Sequence, residues 1–300
     1  MLLSNVASFC STNPAGRPRV SPHTTAVYKT VCGHLVEFFG DVKVKELTRA
    51  DLEDWQAWLE SRSESNVVTD NTYKRTARAL WRQMAKRNVT VCDVSGLFKF
   101  RKELKGVKSI SVKNAHRMLA FSGIRETAII LLANESACRR GGLATMRLSK
   151  TKIWWDEKMG EYCLAAEVVE KGDKPRWIFG YNDSALAVML WVKIRNGFMK
   201  SMGYKENDHV FINLRDGSPL SPHAMSANNA RIKQKANIPN GDHCNLHAHR
   251  HFRAKELLKQ LTLDEVSDIL GHNDISTTAI YTERTEVELA EAFFRPRKRG

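Results

Sequence analysis

Four short segments of this 300-residue chain place Arg, Lys, His and Tyr side chains on otherwise apolar helices or at tight turns. Polar groups at such positions are candidates for chemistry, because a packed core has little use for them. In chain order the segments are SACRRGGLATMRLS with Arg139 and Arg140, VVEKGDKPRWIF with Lys171, HAHRHFRA with His247, His249, Arg250 and His251, and LGHNDISTTAIYTERT with His272 and Tyr281.

These residue types fit a reaction at a phosphodiester. Two arginines and two histidines around one point could bind the phosphate and stabilise the extra negative charge of a pentavalent phosphorus. A tyrosine hydroxyl could attack that phosphorus to form a covalent phosphotyrosine, although its ordinary pKa of about 10 means that it needs help losing its proton. A lysine on a mobile turn could protonate the leaving sugar oxygen. Such a reaction needs neither a metal nor a nucleotide, because arginines supply the charge and the covalent link stores the bond energy.

The spacing of His272 and Tyr281 raises a geometric question. Nine residues of unbroken helix would separate the two side chains by about 13.5 Å. Gly271 is the residue type that ends helices, and a turn at residues 273–274 would let both side chains reach one phosphate. The small residues 276–278 would leave the tyrosine's segment room to move. The sequence therefore predicts a helix that ends at Gly271.

The first hundred residues show helical periodicity after a loose start. Residues 1–22 contain several Pro and Gly residues and predict a flexible arm. Helices are predicted over 24–40, 48–62 with Thr48 as the N-cap, and 70–88, each with apolar residues along one face. A charged segment without a clear period, residues 98–109, predicts a linker.

The rest of the chain predicts helices interrupted by a small sheet. Helical patterns begin near residue 111. Three short strand candidates around KIWW, EYCLAAEVV and PRWIFG, with Gly160 and Gly172 in the turns, predict an antiparallel sheet. Further helical patterns continue to the C-terminus. The predicted fold class is mainly α with a small antiparallel β-sheet.

The third helix carries a basic stripe. Six basic residues and no acidic residue occur between Thr72 and Arg87, a pattern that favours contact with DNA phosphates over a merely solvated face. The whole chain is basic as well, with 47 Lys and Arg against 33 Asp and Glu, which suits a polyanionic partner. The predicted DNA-binding residues are Lys74, Arg75, Arg78, Arg82 and Lys86.

In these segments the chain resembles the tyrosine recombinase family, the phage integrases and Xer-type recombinases. ACRRGGLATMRLS matches the family's G-L-R-x-S-E-L segment, EKGDKPR its K-G-x-K turn, HAHRH its H-x-L-R-H box, and LGHNDISTTAIY its L-G-H motif with a tyrosine nine residues later. Any one box alone is weak, but four in order over about 150 residues are specific. The resemblance assigns a catalytic set of Arg139, Lys171, His247, Arg250, His272 and the nucleophile Tyr281.

The resemblance covers residues from about 110 to 300 and extends more loosely to the N-terminal helices. It implies an arm at 1–22, a helical core-binding, DNA-binding domain at 23–97, a linker at 98–109 and a catalytic domain with a C-terminal tail helix at 110–300. It implies a site-specific recombinase or integrase that cleaves and rejoins DNA through a 3'-phosphotyrosine without a cofactor. The expected partners are double-stranded DNA sites and further copies of the chain, as a dimer on each site and a tetrameric synapse, with the tail docked on a neighbouring protomer or on its own domain.

Two positions depart from the family pattern. The acidic residue after the first arginine is replaced by Gly142, a change that bears on local structure more than on activity. The usual Leu of the second box is His249, which keeps a zinc alternative open, since His247 and His251 lie one helical turn apart near His243 and Cys244. Without that metal, His249 and His251 are interpreted as ordinary helix or DNA-backbone residues.

Composition sets the remaining limits. The six cysteines are scattered without a CxxC pair, which argues against a zinc ribbon or a disulfide framework and for free thiols in a reducing compartment. With no apolar run of membrane-span length and no basic segment before the short apolar start, a cytoplasmic, DNA-associated protein is expected. Alternative functions are a type IB topoisomerase, a telomere resolvase, or a DNA-binding regulator without catalysis.

Overall fold

The computed structural model describes residues 1–13, 15–62, 66–90, 92–101, 108–170, 174–272 and 274–282. The chain forms two compact units, Met1–Lys105 and Gly106–Gly300. The helices of the first unit are α1 (Val6–Ser11), α2 (Pro22–Phe39), α3 (Arg49–Ser61) and α4 (Val67–Ala85).

Local capping explains where the helices of the first unit begin. The Ser21 side chain accepts a hydrogen bond from the backbone of α2, and Pro22 stands in its first turn, where a missing N–H costs nothing. Thr48 and Asp51 form a reciprocal capping box at the start of α3, as the predicted N-cap requires. Gly40 ends α2 with a φ of 76°, a conformation that favours glycine.

The start of the chain differs from the expected flexible arm. Leu3, Val6 and Cys10 have no exposed surface and pack in the core of the first unit against Tyr28 of α2. A short 3-10 helix and α1 cover residues 3–11 because these apolar residues recur at helical spacing. The prediction of a loose arm is therefore wrong for this stretch, and the Pro and Gly residues after it mark the connection to α2.

The predicted linker is also shorter than expected. Phe98 is buried and packs edge-on against Trp55, with ring centroids 6.2 Å apart. The backbone N–H of Arg101 donates to the side chain of Asn71 at 3.2 Å. Residues 98–101 thus belong to the first unit, while residues 102–107 lie outside the described residues.

In its described residues the second unit combines eight α-helices and a short 3-10 helix (Leu148–Lys150) with one sheet, which agrees with the predicted fold class. Strand order is β1-β2-β3, and both pairs are antiparallel. The strands are β1 (Thr151–Asp156), β2 (Glu161–Glu170) and β3 (Lys174–Tyr181), and the helices are α5 (Val112–Ala120), α6 (Ile124–Ser136), α7 (Arg140–Thr145), α8 (Asn182–Ser201), α9 (Pro222–Lys235), α10 (Leu246–Leu257), α11 (Leu263–Leu270) and α12 (Ser276–Ala279).

The sheet and the central helices form the core of this unit. Leu164, Val168 and Ile178 are buried in one cluster with Leu132 of α6 and Val188 of α8. A second cluster joins the last helices around Leu270. Since α10 packs on α6, the residues at the end of α6, on α10 and after α11 meet at one place. None of the described helices has both the length and the apolar composition that a bilayer span requires.

Candidate active site

Arg139 lies in the sharp turn between α6 and α7. Ala137 ends α6 in a left-handed conformation with φ 51°, and Arg139 is the N-cap of α7. The Arg139 Nη1 donates to Oε2 of Glu170, and its backbone N–H donates to Oε1 at 2.9 Å. A third of the Arg139 side chain remains exposed. The guanidinium is thus held by a carboxylate and still accessible to a ligand.

Arg250 joins three segments of the second unit. Its Nη1 donates to the Ala137 carbonyl at 2.6 Å, and its Nη2 donates to the Leu270 carbonyl and to Nε2 of His272, both at 2.8 Å. Only 1% of the residue is exposed. Burial lowers the pKa of Arg250 to about 10, which still leaves the guanidinium charged at neutral pH. A buried cation therefore fixes the ends of α6 and α11 against α10.

His272 has a defined tautomer. Because Arg250 donates to Nε2, the proton of the neutral ring resides on Nδ1, which donates to Oγ1 of Thr278 at 2.6 Å. Burial, and then the charges of Arg250 and Arg139, lower the pKa of His272 to about 4. The ring is therefore neutral at physiological pH and held in one orientation.

Tyr281 lies beside these groups, as the predicted turn requires. Gly271 ends α11 in the left-handed conformation, so the ring centroids of His272 and Tyr281 are 6.4 Å apart with an interplanar angle of 11°. The tyrosine is 6% exposed and packs on Leu270. Burial raises the pKa of Tyr281, and the charge of Arg250 opposes that effect. The phenol thus needs a proton acceptor before it can act as a nucleophile.

His251 places a ring nitrogen beside the tyrosine, a neighbour that sequence reasoning missed; this nitrogen accepts when the ring proton is on Nε2. Its Nδ1 lies 3.0 Å from the Tyr281 hydroxyl, and its ring packs edge-on against His247 at a centroid distance of 4.1 Å. Burial, followed by His247 and Arg250, lowers the pKa of His251 to about 4, so the ring is neutral at pH 7. The one-turn spacing of His247 and His251 on α10 was the available signal, because it places both rings on one face.

Two further arginines lie near these groups. Arg140, which adjoins Arg139, contacts a different helix, whereas Arg176, which was not predicted, contacts Glu170. Arg140 donates to the hydroxyl of Ser226 on α9. Arg176 of β3 donates from Nη2 to Oε1 of Glu170 at 3.1 Å and from Nη1 to the Ile269 carbonyl at 2.7 Å. Of the two adjacent arginines, Arg139 is therefore the one that shares Glu170 with the rest of the cluster.

Lys171 lies outside the described residues. Strand β2 ends at Glu170 and β3 begins at Lys174, so the predicted lysine belongs to the connection between two strands whose ends adjoin the site. Its assignment remains a prediction. The same holds for the predicted tail helix after Tyr281, since residues 283–300 also lie outside the described part of the chain.

The zinc alternative finds no ligand set among the described residues, where no group of three or more His, Cys, Asp or Glu could hold a metal ion. His249 is fully buried, and its Nδ1 lies 3.3 Å from Oδ1 of Asn134. The Nε2 atom of His249 has no hydrogen-bond partner in the part of the chain that the structure describes. This histidine is therefore a core residue with an unpaired ring nitrogen.

The basic stripe of α4 divides into two kinds of residue, beginning with a correction. Lys74 has no exposed surface; it pairs with Glu60 and donates to the Lys99 carbonyl at 3.0 Å. The ammonium is thus satisfied inside the first unit and cannot contact a phosphate in this conformation. Its prediction as a DNA-binding residue is wrong, because the stripe at four-residue spacing drifts toward the buried face of the helix.

The other stripe residues are accessible. Arg75, Arg82 and Lys86 are exposed, and Arg78 is half-buried. The guanidinium carbons of Arg75 and Arg78 lie 5.4 Å and 4.5 Å from the ring centroid of Phe100, which is within cation–π range. These four residues stay candidates for phosphate contact.

Residues 108–288 match the model of the phage integrase family. The match spans more than half of the chain, and it contains all four motif segments. The chain therefore belongs to the phage integrase family, and it is a tyrosine recombinase.

Curated relatives extend over most of both chains. The chain is 25% identical over 291 residues to the tyrosine recombinase XerC of Pseudomonas putida (strain W619), covering 92% of this chain and 90% of that one. It is also 25% identical to the tyrosine recombinase XerD of Rickettsia conorii (strain ATCC VR-613 / Malish 7), with coverage of 92% and 93%. The likeness thus includes the N-terminal unit as well as the catalytic one.

Solved structures share the fold at low identity. A crystal structure of a lambda integrase dimer bound to a COC' core site gives a TM-score of 0.70 at 14% identity, covering 92% of this chain and 97% of that chain. A post-cleavage complex of the XerH site-specific recombinase bound to palindromic difH substrate gives 0.68 at 18% identity, with coverage of 90% and 79%. These similarities support the fold assignment.

Proposed function

We propose that this recombinase cleaves and rejoins double-stranded DNA through a 3'-phosphotyrosine formed on Tyr281. The observation that carries the proposal is the surroundings of the Tyr281 hydroxyl. The hydroxyl oxygen lies 3.0 Å from Nδ1 of His251. The Tyr281 ring stacks on the ring of His272, and His272 accepts a hydrogen bond from Arg250. A nucleophile, a proton acceptor and a buried cation therefore meet at one point.

The covalent step can be written with its protons accounted for. The Tyr281 oxygen attacks the scissile phosphorus, the bond from phosphorus to the 5' oxygen breaks, and the phenol proton passes to Nδ1 of His251. The 5' oxygen leaves as a hydroxyl after taking a proton, for which Lys171 is the proposed donor. Rejoining reverses the sequence, with a 5' hydroxyl attacking the phosphotyrosine.

The remaining catalytic residues act on charge. Arg139 and Arg250 would donate to the non-bridging oxygens of the phosphate, where negative charge grows in the transition state. His272 now accepts from Arg250, so a phosphate would have to draw that guanidinium toward itself. His247, which is exposed and packs edge-on against His251, would donate to the same phosphate.

The proposed partners are DNA sites and further copies of this chain. The crystallised lambda integrase is a dimer bound to a core site, and we extend that arrangement to this chain as a dimer on each site and a tetramer between two sites. Arg75, Arg78, Arg82 and Lys86 would bind the DNA backbone through the N-terminal unit. The expected location is the cytoplasm, on DNA.

Covalent capture on a random DNA library tests the reaction. Wild-type protein should yield fragments linked through their 3' phosphates, and sequencing those fragments would define the site. The matched control is Tyr281→Phe, which keeps the ring and removes the attacking oxygen. Equal adduct yields from the two proteins would refute Tyr281 as the nucleophile.

A two-site assay then separates a recombinase from a topoisomerase IB or a telomere resolvase, which share the covalent chemistry. A recombinase exchanges strands between two copies of the captured site. Products confined to relaxed circles or hairpin ends would favour the alternatives.

The proposed assembly has its own test in a chain truncated after Thr285. If the tail docks on a neighbouring protomer, the truncated chain should bind one site normally and lose cooperative binding and recombination on a two-site DNA. Gel-shift stoichiometry measures this, and full cooperativity would show that the tail packs on its own domain.

A further inference from the structure

Glu170 is a buried carboxylate that touches two arginines of the site. It is the last residue of β2 and is 9% exposed. Its Oε2 accepts from the side chain of Arg139, and its Oε1 accepts from the Arg139 backbone at 2.9 Å and from Arg176 at 3.1 Å. One carboxylate therefore fixes both the backbone and the guanidinium of the proposed phosphate ligand.

Gly142 leaves the space that this carboxylate occupies. A Cβ atom at position 142 would lie 3.0 Å from Cγ and 3.1 Å from Oε1 of Glu170, and 2.8 Å from Sγ of Cys138. Glu170 as it stands and a side chain at position 142 therefore compete for one volume. Position 142 is also where the resemblance places an acidic residue and where this sequence has none.

The charges around Glu170 require a counterion. Arg139, Arg176 and the buried Arg250 bring three guanidinium groups to this side of the site, and like charges this close repel one another. Burial by itself would raise the pKa of Glu170, but Arg176 and the hydrogen bond from the Arg139 backbone outweigh it and lower the pKa to about 2. The group is therefore a carboxylate at any pH at which the protein works.

We propose that Glu170 is the positioning residue for Arg139 and that it supplies from β2 the acid that is absent at position 142. Held on one side by Glu170, Arg139 presents its remaining N–H groups to the phosphate in a fixed orientation. This inference rests on the proposed function, because it needs Arg139 to bind the scissile phosphate.

The first experiment compares Glu170→Gln with Glu170→Asp and a control from the same strand. Gln keeps the size and removes the charge, so single-turnover cleavage of saturating DNA should fall about 10-fold to 100-fold, less than for loss of a phosphate donor itself. Asp keeps the charge and should recover part of the rate. The control is Glu167→Gln, because Glu167 forms a long ion pair of 3.7 Å with the exposed Lys150. This control variant should cleave DNA at the wild-type rate.

Binding and stability distinguish positioning from a purely structural role. DNA affinity of Glu170→Gln should stay within about twofold of wild type, because many other basic residues hold the backbone. Cleavage is normalised to folded protein measured by circular dichroism. Wild-type cleavage per folded molecule in Glu170→Gln would overturn the inference.

A swap of the acid between the two positions gives a second, independent test. Gly142→Glu alone should impair cleavage, because two acids then compete for one volume. Because Cys138 also lies 2.8 Å from a Cβ atom at position 142, the swap is made with Cys138→Ala present throughout. In that background, Gly142→Glu combined with Glu170→Gly should cleave at least about 10-fold faster than Glu170→Gly, since the carboxylate returns to the arginines from α7. A swapped variant no faster than its Glu170→Gly reference would count against the inference. A wild-type protein that forms no covalent complex would instead overturn the proposed function, and this inference with it.

Discussion

The basic stripe on α4 and the cation cluster at the ends of α6, α10 and α11 look alike as sequence but differ as structure. In the stripe, Lys74 is buried against Glu60, whereas Arg82 is exposed. In the cluster, Arg250 is just as deeply buried, yet it donates to His272 beside the Tyr281 ring. Burial alone thus does not separate a cation that is paired within the fold from one that lies beside the proposed nucleophile.

What separates the two regions is the partner of each buried cation. Lys74 pairs with a carboxylate, which neutralises its charge, and donates to a carbonyl within the first unit. Arg250 donates to two carbonyls and a neutral histidine, so its charge lacks a direct carboxylate partner among the described residues. An incompletely neutralised cation next to a nucleophile can stabilise an arriving phosphate. The comparison predicts opposite outcomes for mutations in the two regions.

The largest effect is expected at Tyr281. Tyr281→Phe removes the attacking oxygen and the hydrogen bond to His251 but keeps the packing on Leu270. Covalent adduct should fall below detection, whereas DNA affinity should change by less than about twofold, because one phenol adds little to many phosphate contacts. Gel analysis of denatured protein–DNA complexes measures the adduct. A normal adduct yield would show that Tyr281 is not the nucleophile, and the cation cluster would then have no catalytic role to set against the basic stripe.

The adjacent arginines offer a matched pair for the next effect. Arg139→Ala removes a proposed phosphate donor and should slow cleavage about 100-fold to 1000-fold. Arg140→Ala removes a side chain that contacts Ser226, and its cleavage rate should fall less than about threefold. Equal losses of cleavage rate in the two variants would show that contact with Glu170 does not distinguish the arginine that binds phosphate.

His251 should matter more than its sequence context suggests. His251→Ala removes the group 3.0 Å from the Tyr281 hydroxyl, and cleavage should slow about 100-fold if that ring accepts the proton. The pH profile gives a second readout. Because the pKa of His251 is lowered to about 4, the neutral acceptor persists down to that pH, and wild-type cleavage should decline as pH approaches 4. An unchanged rate in the Ala variant would assign the proton to another base.

Within the stripe, mutation of the buried lysine should affect stability, and mutation of the exposed residues should affect DNA binding. Lys74→Met leaves Glu60, whose side chain is 28% exposed, without its partner. Loss of this pair should cost about 1–3 kcal/mol of unfolding free energy, and the salt slope of DNA binding should be unchanged. Arg82→Gln with Lys86→Gln should leave stability within about 0.5 kcal/mol and flatten the salt slope by roughly one per lost phosphate contact. Thermal melts and salt titrations on a non-specific duplex check both. A flatter slope for Lys74→Met would restore it as a phosphate contact.

The smallest effect on activity is expected at His249, which should reveal itself in stability. Its folded pKa is lowered to about 4 by burial, against 6.5 ordinarily, so the unfolded chain binds the proton more readily. The stability that neutral His249 contributes to the fold is fully present above pH 6.5 and is lost as pH falls toward 4. The difference is about 3 kcal/mol of unfolding free energy. His249→Leu should therefore raise the melting temperature more at pH 5 than at pH 7.5, with cleavage at pH 7.5 nearly unchanged. Equal shifts at both pH values would contradict the role assigned to burial.

Sequence reasoning predicted the helices other than α1 and α7, the three strands and the turn at Gly271, because caps, glycines and apolar periodicity are local signals. It failed at residues 3–11, where the Pro and Gly residues that follow predicted a loose arm although Leu3, Val6 and Cys10 recur at helical spacing. Those residues form a helix because α2 offers an apolar face to pack on. A short helix of that length gains most of its stability from such tertiary contacts.

The sequence by itself determined the family: the order and spacing of Arg139, His247, Arg250, His272 and Tyr281 match the motifs of the tyrosine recombinases. Only the tertiary structure decided which neighbours serve those residues. It set His251 against the tyrosine and Glu170 against Arg139, and it turned Lys74 into the core. The reason is physical: a motif records spacing along one segment, whereas burial and charge pairing depend on segments that are distant in sequence and meet only when the chain has folded.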